Sequence, residues 1–355
     1  MECQFNDKYK YIYFIGIGGI SMSGLAELML EKGYKVKGSD RSKSHIVKKL
    51  ENSGATIFSG HNEENITEDI DLVVYTSAIS EDNPELLKAR KLNLNIMDRA
   101  EFLGYLMKNY THSICVSGTH GKTTTTGILS SILLETELEP TIFLGGEMDS
   151  IGGNIKKGSN NLLLTEACEY KRNFLKFNPT MEVILNIDED HLDYYKDLKD
   201  IENAFLEYAK KLPNDGLLIV NDKNKSLFND LSCTITSFGY DDKADFYPKD
   251  IKYFPAPSYK LMHKGTEVMD INLKVYGEHN ILNSVAASAA CIMLKIDIKS
   301  IQKGLYNFTG THRRYEFKGN YKGAVLIDDY AHHPTEMETT LKTARAYSHG
   351  KIITV

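Results

Sequence analysis

The chain has 355 residues, a net charge of −6, 42% hydrophobic residues and 25% charged residues. At roughly 150 residues per domain, this length predicts two or three domains, and the composition is typical of globular proteins that bury a sizeable core. The negative charge excludes a surface that binds nucleic acid without sequence preference, because such a surface needs many cations to neutralise phosphates.

The first part of the chain alternates short apolar strands with an amphipathic helix. Strands are predicted at residues 11–15, 35–38 and 72–76, and a helix at residues 21–32. This alternation is typical of a doubly wound α/β fold with a parallel sheet.

The turn after the first predicted strand, residues 16–21, reads Gly-Ile-Gly-Gly-Ile-Ser. It is similar to a dinucleotide fingerprint, and Asp40 ends the second strand where a ribose-binding acid would lie. The pattern predicts a diphosphate site at a helix N-terminus, for a nicotinamide cofactor or a UDP-sugar. The alternative is a tight turn with a purely structural role.

A second α/β unit begins after a domain boundary that we place near Tyr110. A strand at residues 113–117 leads into the loop of residues 118–124, Gly-Thr-His-Gly-Lys-Thr-Thr, and then into a helix. Glycines in such a loop turn backbone N–H groups toward phosphate oxygens, and the helix N-terminus adds positive potential. Lys122 would supply a mobile cation and Thr123 a magnesium ligand. The alternative is a structural turn with a solvated lysine.

Candidate metal ligands follow two later strands. Strands are predicted at residues 161–165, 183–187 and 217–220, and a helix at residues 201–211. Glu166 follows the first of these strands and His191 comes shortly after the second, so both would reach the crevice beside the phosphate loop. Taken singly, they are typical of a surface acid and a hydrogen-bonded loop histidine.

Alternating residues at 245–275, with a turn at Lys264-Gly265, predict antiparallel hairpins. A helix at residues 280–294 follows. Asn280 could act as its N-cap and nothing more, whereas Asn283, one turn later, could contact a base through its side-chain amide.

A third unit begins near residue 310. Residues 310–314, Gly-Thr-His-Arg-Arg, indicate a linker that carries cations to phosphate, or else a solvated basic pair. Residues 328–334, Asp-Asp-Tyr-Ala-His-His-Pro, join a strand at 324–327 to a helix at 335–347, and their acids and histidines suggest ligand contact or a metal site. Residues 352–355 are predicted to form the next strand.

The spacing of the cysteines and the character of the first ten residues indicate the cellular compartment. The five cysteines are scattered without a Cys-x-x-Cys pair, which indicates reduced thiols rather than disulfides or a zinc site. Residues 1–10 are polar, and no apolar run approaches the roughly 18 residues of a membrane span. We therefore expect a cytoplasmic chain without a leader or an anchor.

Taken in order, these motifs resemble the Mur ligase family over essentially the whole chain. Further matching segments are Gly38-Ser39-Asp40, Gly60-His61, Thr76-Ser77-Ala78-Ile79, Asp82-Asn83-Pro84, Asn186-Ile187-Asp188 and Asp190-His191-Leu192-Asp193. The resemblance implies an α/β fold with a Rossmann-like UDP-sugar domain at residues 1–110 and a P-loop ATPase-like domain with added antiparallel strands at 111–309. A partial Rossmann-like amino-acid domain would occupy residues 310–355. Since the family continues beyond the position of Val355, the resemblance implies poor turnover by these 355 residues alone.

The histidine in the phosphate loop and the segment at 328–334 resemble the alanine-adding branch of the family. The resemblance therefore implies ATP- and Mg²⁺-dependent ligation of L-alanine to UDP-N-acetylmuramate through an acyl phosphate, the first amino-acid addition in peptidoglycan precursor synthesis. A monomer or homodimer is expected, with neither nucleic acid nor membrane as a partner. The alternatives are a ligase for preformed peptides, a nicotinamide-dependent dehydrogenase and a nucleotide-binding regulator without turnover.

The resemblance also implies roles for individual residues. The ATP contacts are Gly118, Thr119, His120, Gly121, Lys122, Thr123, Thr124, His279, Asn280, Asn283, Arg314 and Asp329. The UDP-sugar contacts are Gly18, Gly19, Ser21, Asp40, His61 and Ser77. The metal ligands are Thr123, Glu166 and His191, and the catalytic residues are Lys122, Glu166, His191 and His332, the last near the incoming amino acid. The segment at 166–174 departs from the Asp-Glu-Ser-Asp pattern of many relatives.

Overall fold

The structure, a computed structural model, describes residues 9–348 and 350–355. The chain divides into two compact units, residues 1–111 with 176–178 and residues 112–175 with 179–355. Within the described ranges, no helix combines the length and apolar character needed to cross a membrane.

The first unit alternates strands and helices. Its strands are β1 (Tyr11–Ile15), β2 (Lys35–Asp40), β3 (Thr56–Ser59), β4 (Leu72–Tyr75) and β5 (Asn95–Asp98). Its helices are α1 (Ile20–Glu31), α2 (His45–Asn52), α3 (Pro84–Lys91) and α4 (Arg99–Met107). The strands form one parallel sheet in the order β3-β2-β1-β4-β5, which confirms the predicted α/β fold.

The centre of this sheet positions the predicted diphosphate turn. Ile12 in β1 pairs with Val36 on one side and Leu72 on the other, and all three side chains are buried. Parallel strands end at the same edge of a sheet, so the turn after β1 lies beside Asp40 at the end of β2. The edge strands β3 and β5 escape prediction because they are short, partly exposed and lack a continuous apolar run.

The second unit contains a sheet of ten strands. They are β6 (His112–Ser117), β7 (Thr141–Met148), β8 (Gly153–Lys156), β9 (Leu162–Glu166), β10 (Met181–Ile184), β11 (Leu217–Asn221), β12 (Thr234–Phe238), β13 (Phe246–Lys252), β14 (Ser258–His263) and β15 (Thr266–Asn272). Their order is β15-β14-β13-β12-β11-β10-β6-β9-β7-β8. Strand β6 is parallel to both neighbours, β9 and β10, so the loop that follows β6 emerges near the middle of the sheet.

The predicted antiparallel hairpins are confirmed in β13, β14 and β15. Lys264 and Gly265 form the two-residue turn between β14 and β15, with φ angles of 49° and 82°. Positive φ at both positions matches the twist of the flanking strands, and glycine adopts it without strain.

Four helices belong to the same unit: α5 (Lys122–Leu133), α6 (Leu198–Ala209), α7 (Glu278–Met293) and α8 (Ile298–Asn307). Helix α5 packs against both α7 and α8. A Cβ at Gly304 would lie 2.3 Å from Ile132 Cα, so the close approach of α8 to α5 requires a glycine. This packing fixes the N-terminus of α5 at the end of β6.

The last part of the second unit consists of a hairpin and a helix. Strands β16 (Glu316–Tyr321) and β17 (Ala324–Asp328) pair antiparallel and precede α9 (Pro334–Tyr347). The strand predicted at 352–355 is wrong, since residues 351–355 have no regular secondary structure. A strand needs a hydrogen-bonding neighbour, and residues 351–355 pair with neither strand of the hairpin.

Candidate functional site

The predicted phosphate loop joins β6 to α5. Gly118 and Gly121 have φ angles of 134° and 86°, which disfavour other residues, and Gly121 is the N-cap of α5. Asn186 braces the loop: its Oδ1 accepts the backbone N–H of His120 at 2.8 Å and its Nδ2 donates to the His120 carbonyl at 3.0 Å. The loop is therefore held with its backbone at a helix N-terminus, the arrangement that binds phosphate.

Lys122 begins α5 and lies across the loop. Its Nζ donates to the Gly118 carbonyl at 2.5 Å and to Glu169 Oε2 at 3.0 Å. Burial opposes its charge, but the combined effects of Glu169, Cys168 and Glu166 outweigh burial and raise the pKa of Lys122. Lys122 is therefore a charged group at neutral pH. Glu169 was not among the site residues predicted from the sequence, although it is an acid only three residues after Glu166.

Thr123 and Glu166 place a hydroxyl and a carboxylate next to each other, beside the lysine. Thr123 Oγ1 donates to Glu166 Oε2 at 3.0 Å, and the Gly145 N–H donates to Glu166 Oε1 at 2.6 Å. Burial raises the pKa of Glu166, although both hydrogen bonds oppose that rise. Arg314 Nη2 lies 3.5 Å from Thr123 Oγ1. A hydroxyl and a carboxylate are the hard oxygen donors that Mg²⁺ prefers.

His191 and Glu166 line the same cavity, but the carboxylates close to His191 are those of Glu169 and Asp190. Its Nε2 is 3.9 Å from Glu169 Oε1, and its Nδ1 is 3.8 Å from Asp190 Oδ1. Ligand atoms of Glu169, Asp190 and His191 all lie within 4.8 Å of one another, as a metal site requires. Two groups of candidate metal ligands therefore lie close to this cavity. One is Thr123 with Glu166, and the other is Glu169 with Asp190 and His191.

Two cavities adjoin at the phosphate loop. The first is lined by candidate ATP residues from three parts of the second unit: His120, Gly121, Thr124, His279, Asn280, Asn283, Arg314 and Asp329. The second is lined by Thr119, Lys122, Thr123, Glu166, His191 and His332. Gly121, Thr124, Arg314 and Glu336 line both, so the cavities are neighbours.

The amide pair of α7 also lines the first cavity. The helix begins at Glu278 with Gly277 as its N-cap, so the alternative role of Asn280 as an N-cap is wrong. Instead, Asn280 Nδ2 donates to the Tyr276 carbonyl at 2.7 Å, and its Oδ1 accepts from Asn283 Nδ2 at 3.2 Å.

His279 also lines this cavity, and its Nδ1 is buried. Its Nδ1 has no hydrogen-bond partner among the described residues. Burial lowers the pKa of His279, although Asp329 opposes that effect, so the ring is neutral at neutral pH. A buried unsatisfied ring nitrogen offers a ligand one hydrogen bond.

Asp329 follows β17 and organises the turn before α9. Its Oδ2 accepts from the Tyr315 N–H at 3.1 Å and from Thr340 Oγ1 at 3.0 Å, and its Oδ1 accepts from the Ala331 N–H at 2.9 Å. The carboxylate therefore already stabilises the segment that carries His332.

His332 and His333 differ in position. His333 Nδ1 accepts the Thr335 N–H and caps α9, whereas the His332 side chain is 68% exposed at the cavity rim. His333 Nδ1 is therefore engaged as the cap of α9. Glu336, one turn into α9, lies 3.3 Å from His120 Nδ1 and was not identified from the sequence.

The candidate diphosphate turn lies in the first unit. The Gly18 N–H donates to Asp40 Oδ2 at 2.9 Å, Gly19 is the N-cap of α1, and Ser21 lies in its first turn. A Cβ at Gly18 would lie 2.8 Å from Asp40 Oδ2, so glycine is required for this contact.

The other two candidate sugar-nucleotide residues lie in loops that follow β3 and β4. Ser77 is exposed in the turn after β4. His61 is instead largely buried, with its Nδ1 3.1 Å from Glu85 Oε2 and 3.0 Å from Ser39 Oγ. Glu85 is fully buried and also accepts from Tyr13 at 2.8 Å. Only the opposite ring nitrogen of His61 is therefore directed away from this network.

Three family models match the chain in succession. They are the Mur ligase family catalytic domain at residues 11–111, the Mur ligase middle domain at 116–291 and the Mur ligase glutamate ligase domain at 313–355.

Individual relatives match over nearly the whole chain. UDP-N-acetylmuramate–L-alanine ligase from Clostridium kluyveri is 50% identical over 98% of this chain and 77% of the relative. The enzyme of the same name from Clostridium acetobutylicum is 50% identical over 99% of the chain and 77% of its own length. The crystal structure of UDP-N-acetylmuramate-alanine ligase from Thermotoga maritima matches with a TM-score of 0.83 and 32% identity, covering 95% of this chain and 78% of that one.

Proposed function

The chain belongs to the Mur ligase family, and we propose that it joins L-alanine to the carboxyl group of UDP-N-acetylmuramate while ATP is cleaved to ADP and phosphate. The observation that carries this function is the pair of adjoining cavities at the phosphate loop. One cavity is lined by the amides of Asn280 and Asn283, and the other is rich in charged groups. This division suits a nucleoside and its reacting phosphates.

ATP binding uses both cavities. The adenine ring occupies the end near Asn280, Asn283 and His279, whose amides and neutral ring offer donors and acceptors to a base edge. The phosphates lie along the loop at 118–124, where Lys122 and Arg314 neutralise their charge. Asp329 accepts a ribose hydroxyl in addition to the backbone N–H groups that it already binds.

The first step transfers the γ-phosphoryl group to the muramate carboxylate. A carboxylate oxygen bonds to phosphorus as the bond to the β-phosphate oxygen breaks, giving an acyl phosphate and ADP. Such transfers depend on positioning and charge neutralisation, which the loop amides and Lys122 provide, so the protein needs no covalent nucleophile.

Residues of the second cavity fit a magnesium ion. Thr123 and Glu166 would hold it beside the phosphates, and His191, which lies near Glu169 and Asp190, would contribute a further ligand. Bound there, Mg²⁺ neutralises charge on the transferred phosphoryl group. The buried Glu166 carboxylate is suited to this role, because a divalent cation offsets the penalty that burial imposes on its charge.

In the second step, the alanine amine attacks the acyl carbon. The new C–N bond forms as the C–O bond to phosphate breaks, and the nitrogen loses its extra protons to give a neutral amide. His332, at the cavity rim, belongs to the amino-acid side of the reaction.

The sugar nucleotide binds to the first unit. Gly18, Gly19 and Ser21 contact its diphosphate at the N-terminus of α1, and Asp40, His61 and Ser77 line the uridine pocket. The residues divide accordingly into a sugar-nucleotide domain at 1–110, an ATP domain at 111–309 and the start of an amino-acid domain at 310–355.

We infer a cytoplasmic protein that is a monomer or a homodimer, with neither nucleic acid nor membrane as a partner. Cys115, Cys168, Cys233 and Cys291 form no disulfide within the described ranges, which fits a reducing compartment. Within residues 9–348 and 350–355, no helix is both long enough and apolar enough to cross a membrane.

Omission experiments test the function. Mass spectrometry should detect UDP-N-acetylmuramoyl-L-alanine and ADP only when ATP, UDP-N-acetylmuramate, L-alanine and Mg²⁺ are all present. A preformed tripeptide replacing alanine should give no product; efficient use of the peptide would instead support the peptide-ligase alternative. A dehydrogenase would act without ATP, and a regulator would release no stoichiometric product.

A further inference from the structure

Glu336 on α9 lies in the wall shared by the two cavities. Its Oε1 is 3.3 Å from His120 Nδ1, and its Oε2 accepts the His332 N–H at 3.4 Å. Burial alone would raise the pKa of Glu336, but the contacts with His120 and His332 and the charge of Arg314 lower it to about 2. Glu336 is therefore an ionised carboxylate at the cavity at neutral pH.

The other carboxylates of this region are more tightly engaged. Glu166, Glu169 and Asp190 each make a hydrogen bond of between 2.6 and 3.0 Å with the protein. The contacts of Glu336 are longer, at 3.3 Å to His120 Nδ1, 3.4 Å to the His332 N–H and 3.6 Å to His332 Nδ1, and a carboxylate can accept about four hydrogen bonds. Glu336 thus keeps the capacity to bind a cationic donor.

The charges of the reactants identify that donor. ATP and the muramate carboxylate are anions, which a carboxylate repels, and magnesium is accounted for by Thr123 and Glu166. The ammonium group of the incoming amino acid is the remaining cation. Resting on the proposed function, we propose that Glu336 binds the ammonium group of the amino-acid substrate and holds it beside the acyl phosphate.

This role of Glu336 also affects release of the amide product. The bound ammonium releases one proton to solvent to become the attacking amine, and the nitrogen releases a second proton to solvent as phosphate departs and the amide forms. The product nitrogen is then neutral and no longer attracted to Glu336. The carboxylate therefore favours the substrate over the product at the same position.

Hydroxylamine separates ammonium binding from formation of the acyl phosphate. It is largely uncharged at neutral pH, and its nitrogen attacks the acyl carbon, releasing phosphate and leaving a hydroxamic acid. The full-length natural protein and its Glu336→Gln variant should be compared with both nucleophiles. The glutamine keeps the size of the side chain and an acceptor for the His332 N–H.

We expect Glu336→Gln to raise the KM for L-alanine about 10- to 100-fold, as loss of a charged hydrogen bond implies. Hydroxamate formation and the KM for ATP should change less than about threefold. Glu338→Gln is the matched control, because Glu338 lies on the same helix, is 65% exposed and pairs with Lys342. It should leave both reactions unchanged.

Parallel loss of alanine ligation and hydroxamate formation would overturn the proposal, since Glu336 would then act through His120 and the phosphate loop. An unchanged KM for L-alanine would overturn it equally. If the parent protein formed neither the alanyl product nor the hydroxamate, the proposed function itself would be wrong. That outcome differs from a loss that is confined to the Glu336→Gln variant. Competition in the parent protein provides a test without substitution: L-alaninamide, which keeps the ammonium group, should inhibit alanine ligation, whereas L-lactate, which lacks it, should not.

Discussion

Lys122 Nζ lies 3.0 Å from Glu169 Oε2, so the cation of the phosphate loop is paired with a carboxylate that follows β9. Both side chains are largely buried, with exposed fractions of 17% and 3%. A phosphate that enters the loop competes with Glu169 for the lysine. The pair therefore keeps the lysine charged and ordered at the position where ATP is expected to bind.

Replacing Lys122 with alanine should abolish ligation and leave the affinity for UDP-N-acetylmuramate unchanged, because the lysine lies in the second unit. Loss of one preorganised charge raises the barrier by about 3 kcal/mol or more, which corresponds to at least about a 100-fold fall in kcat. Steady-state kinetics and calorimetric titration of the sugar nucleotide provide the two measurements. Lys223→Ala, at an exposed position, is the control. More than half of the parental turnover in Lys122→Ala would refute the assignment.

Glu166→Ala and His191→Ala should each raise the magnesium concentration needed for half-maximal rate. The exposed neighbour Glu189 provides the control, and Glu189→Ala should not change that concentration. Since burial raises the pKa of Glu166, acidification should protonate this ligand and raise the magnesium concentration needed for half-maximal rate, and it should do so at a higher pH than for an ordinary glutamate. Magnesium titrations of the rate at several pH values measure both effects. A parental magnesium profile in either variant would remove that residue from the metal site.

Gly18→Ala should weaken binding of UDP-N-acetylmuramate and leave ATP binding intact. The added methyl group would lie 2.8 Å from Asp40 Oδ2 and displace the carboxylate from the Gly18 N–H. If the displaced Asp40 carboxylate loses about one hydrogen bond to the sugar nucleotide, Kd should rise about tenfold. Calorimetric titration measures it, with Glu51→Gln on the exposed face of α2 as the control. Equal affinities for parent and variant would show that the sugar nucleotide binds elsewhere.

Glu182 should make the protein less stable as the pH rises. Burial raises its pKa well above the ordinary value, and neither carboxyl oxygen has a hydrogen-bond partner within the described residues. The folded protein thus favours the protonated form. The resulting stability is full below the unfolded pKa of about 4.3 and declines by up to about 1.4 kcal/mol per pH unit until the raised folded pKa is reached.

Urea unfolding between pH 5 and pH 8 measures this effect. The parent should lose stability over this range relative to Glu182→Gln, whose side chain does not ionise. Glu51→Gln should follow the parent. Identical pH dependence in the parent and Glu182→Gln would show that Glu182 ionises in the fold without penalty.

The sequence predicted those parts of the fold that depend on local pattern. Apolar strands such as β6, and Lys264-Gly265 with its positive φ angles, carry their signal within a few residues. Pairing partners are not encoded so locally, which is why β16 was missed and the strand predicted at 352–355 was wrong. Motifs likewise indicated the phosphate loop, whereas the contacts of Glu169 and Glu336 with it depend on residues distant in the sequence and became evident only in three dimensions.

Oxygen transfer tests the central claim most directly. The full-length natural protein should be given UDP-N-acetylmuramate labelled with ¹⁸O in its carboxyl group, together with ATP and L-alanine. If the carboxylate attacks the γ-phosphate, the inorganic phosphate should carry one labelled oxygen for each alanyl product formed. Phosphate free of label, alongside normal product, would contradict an acyl-phosphate ligase.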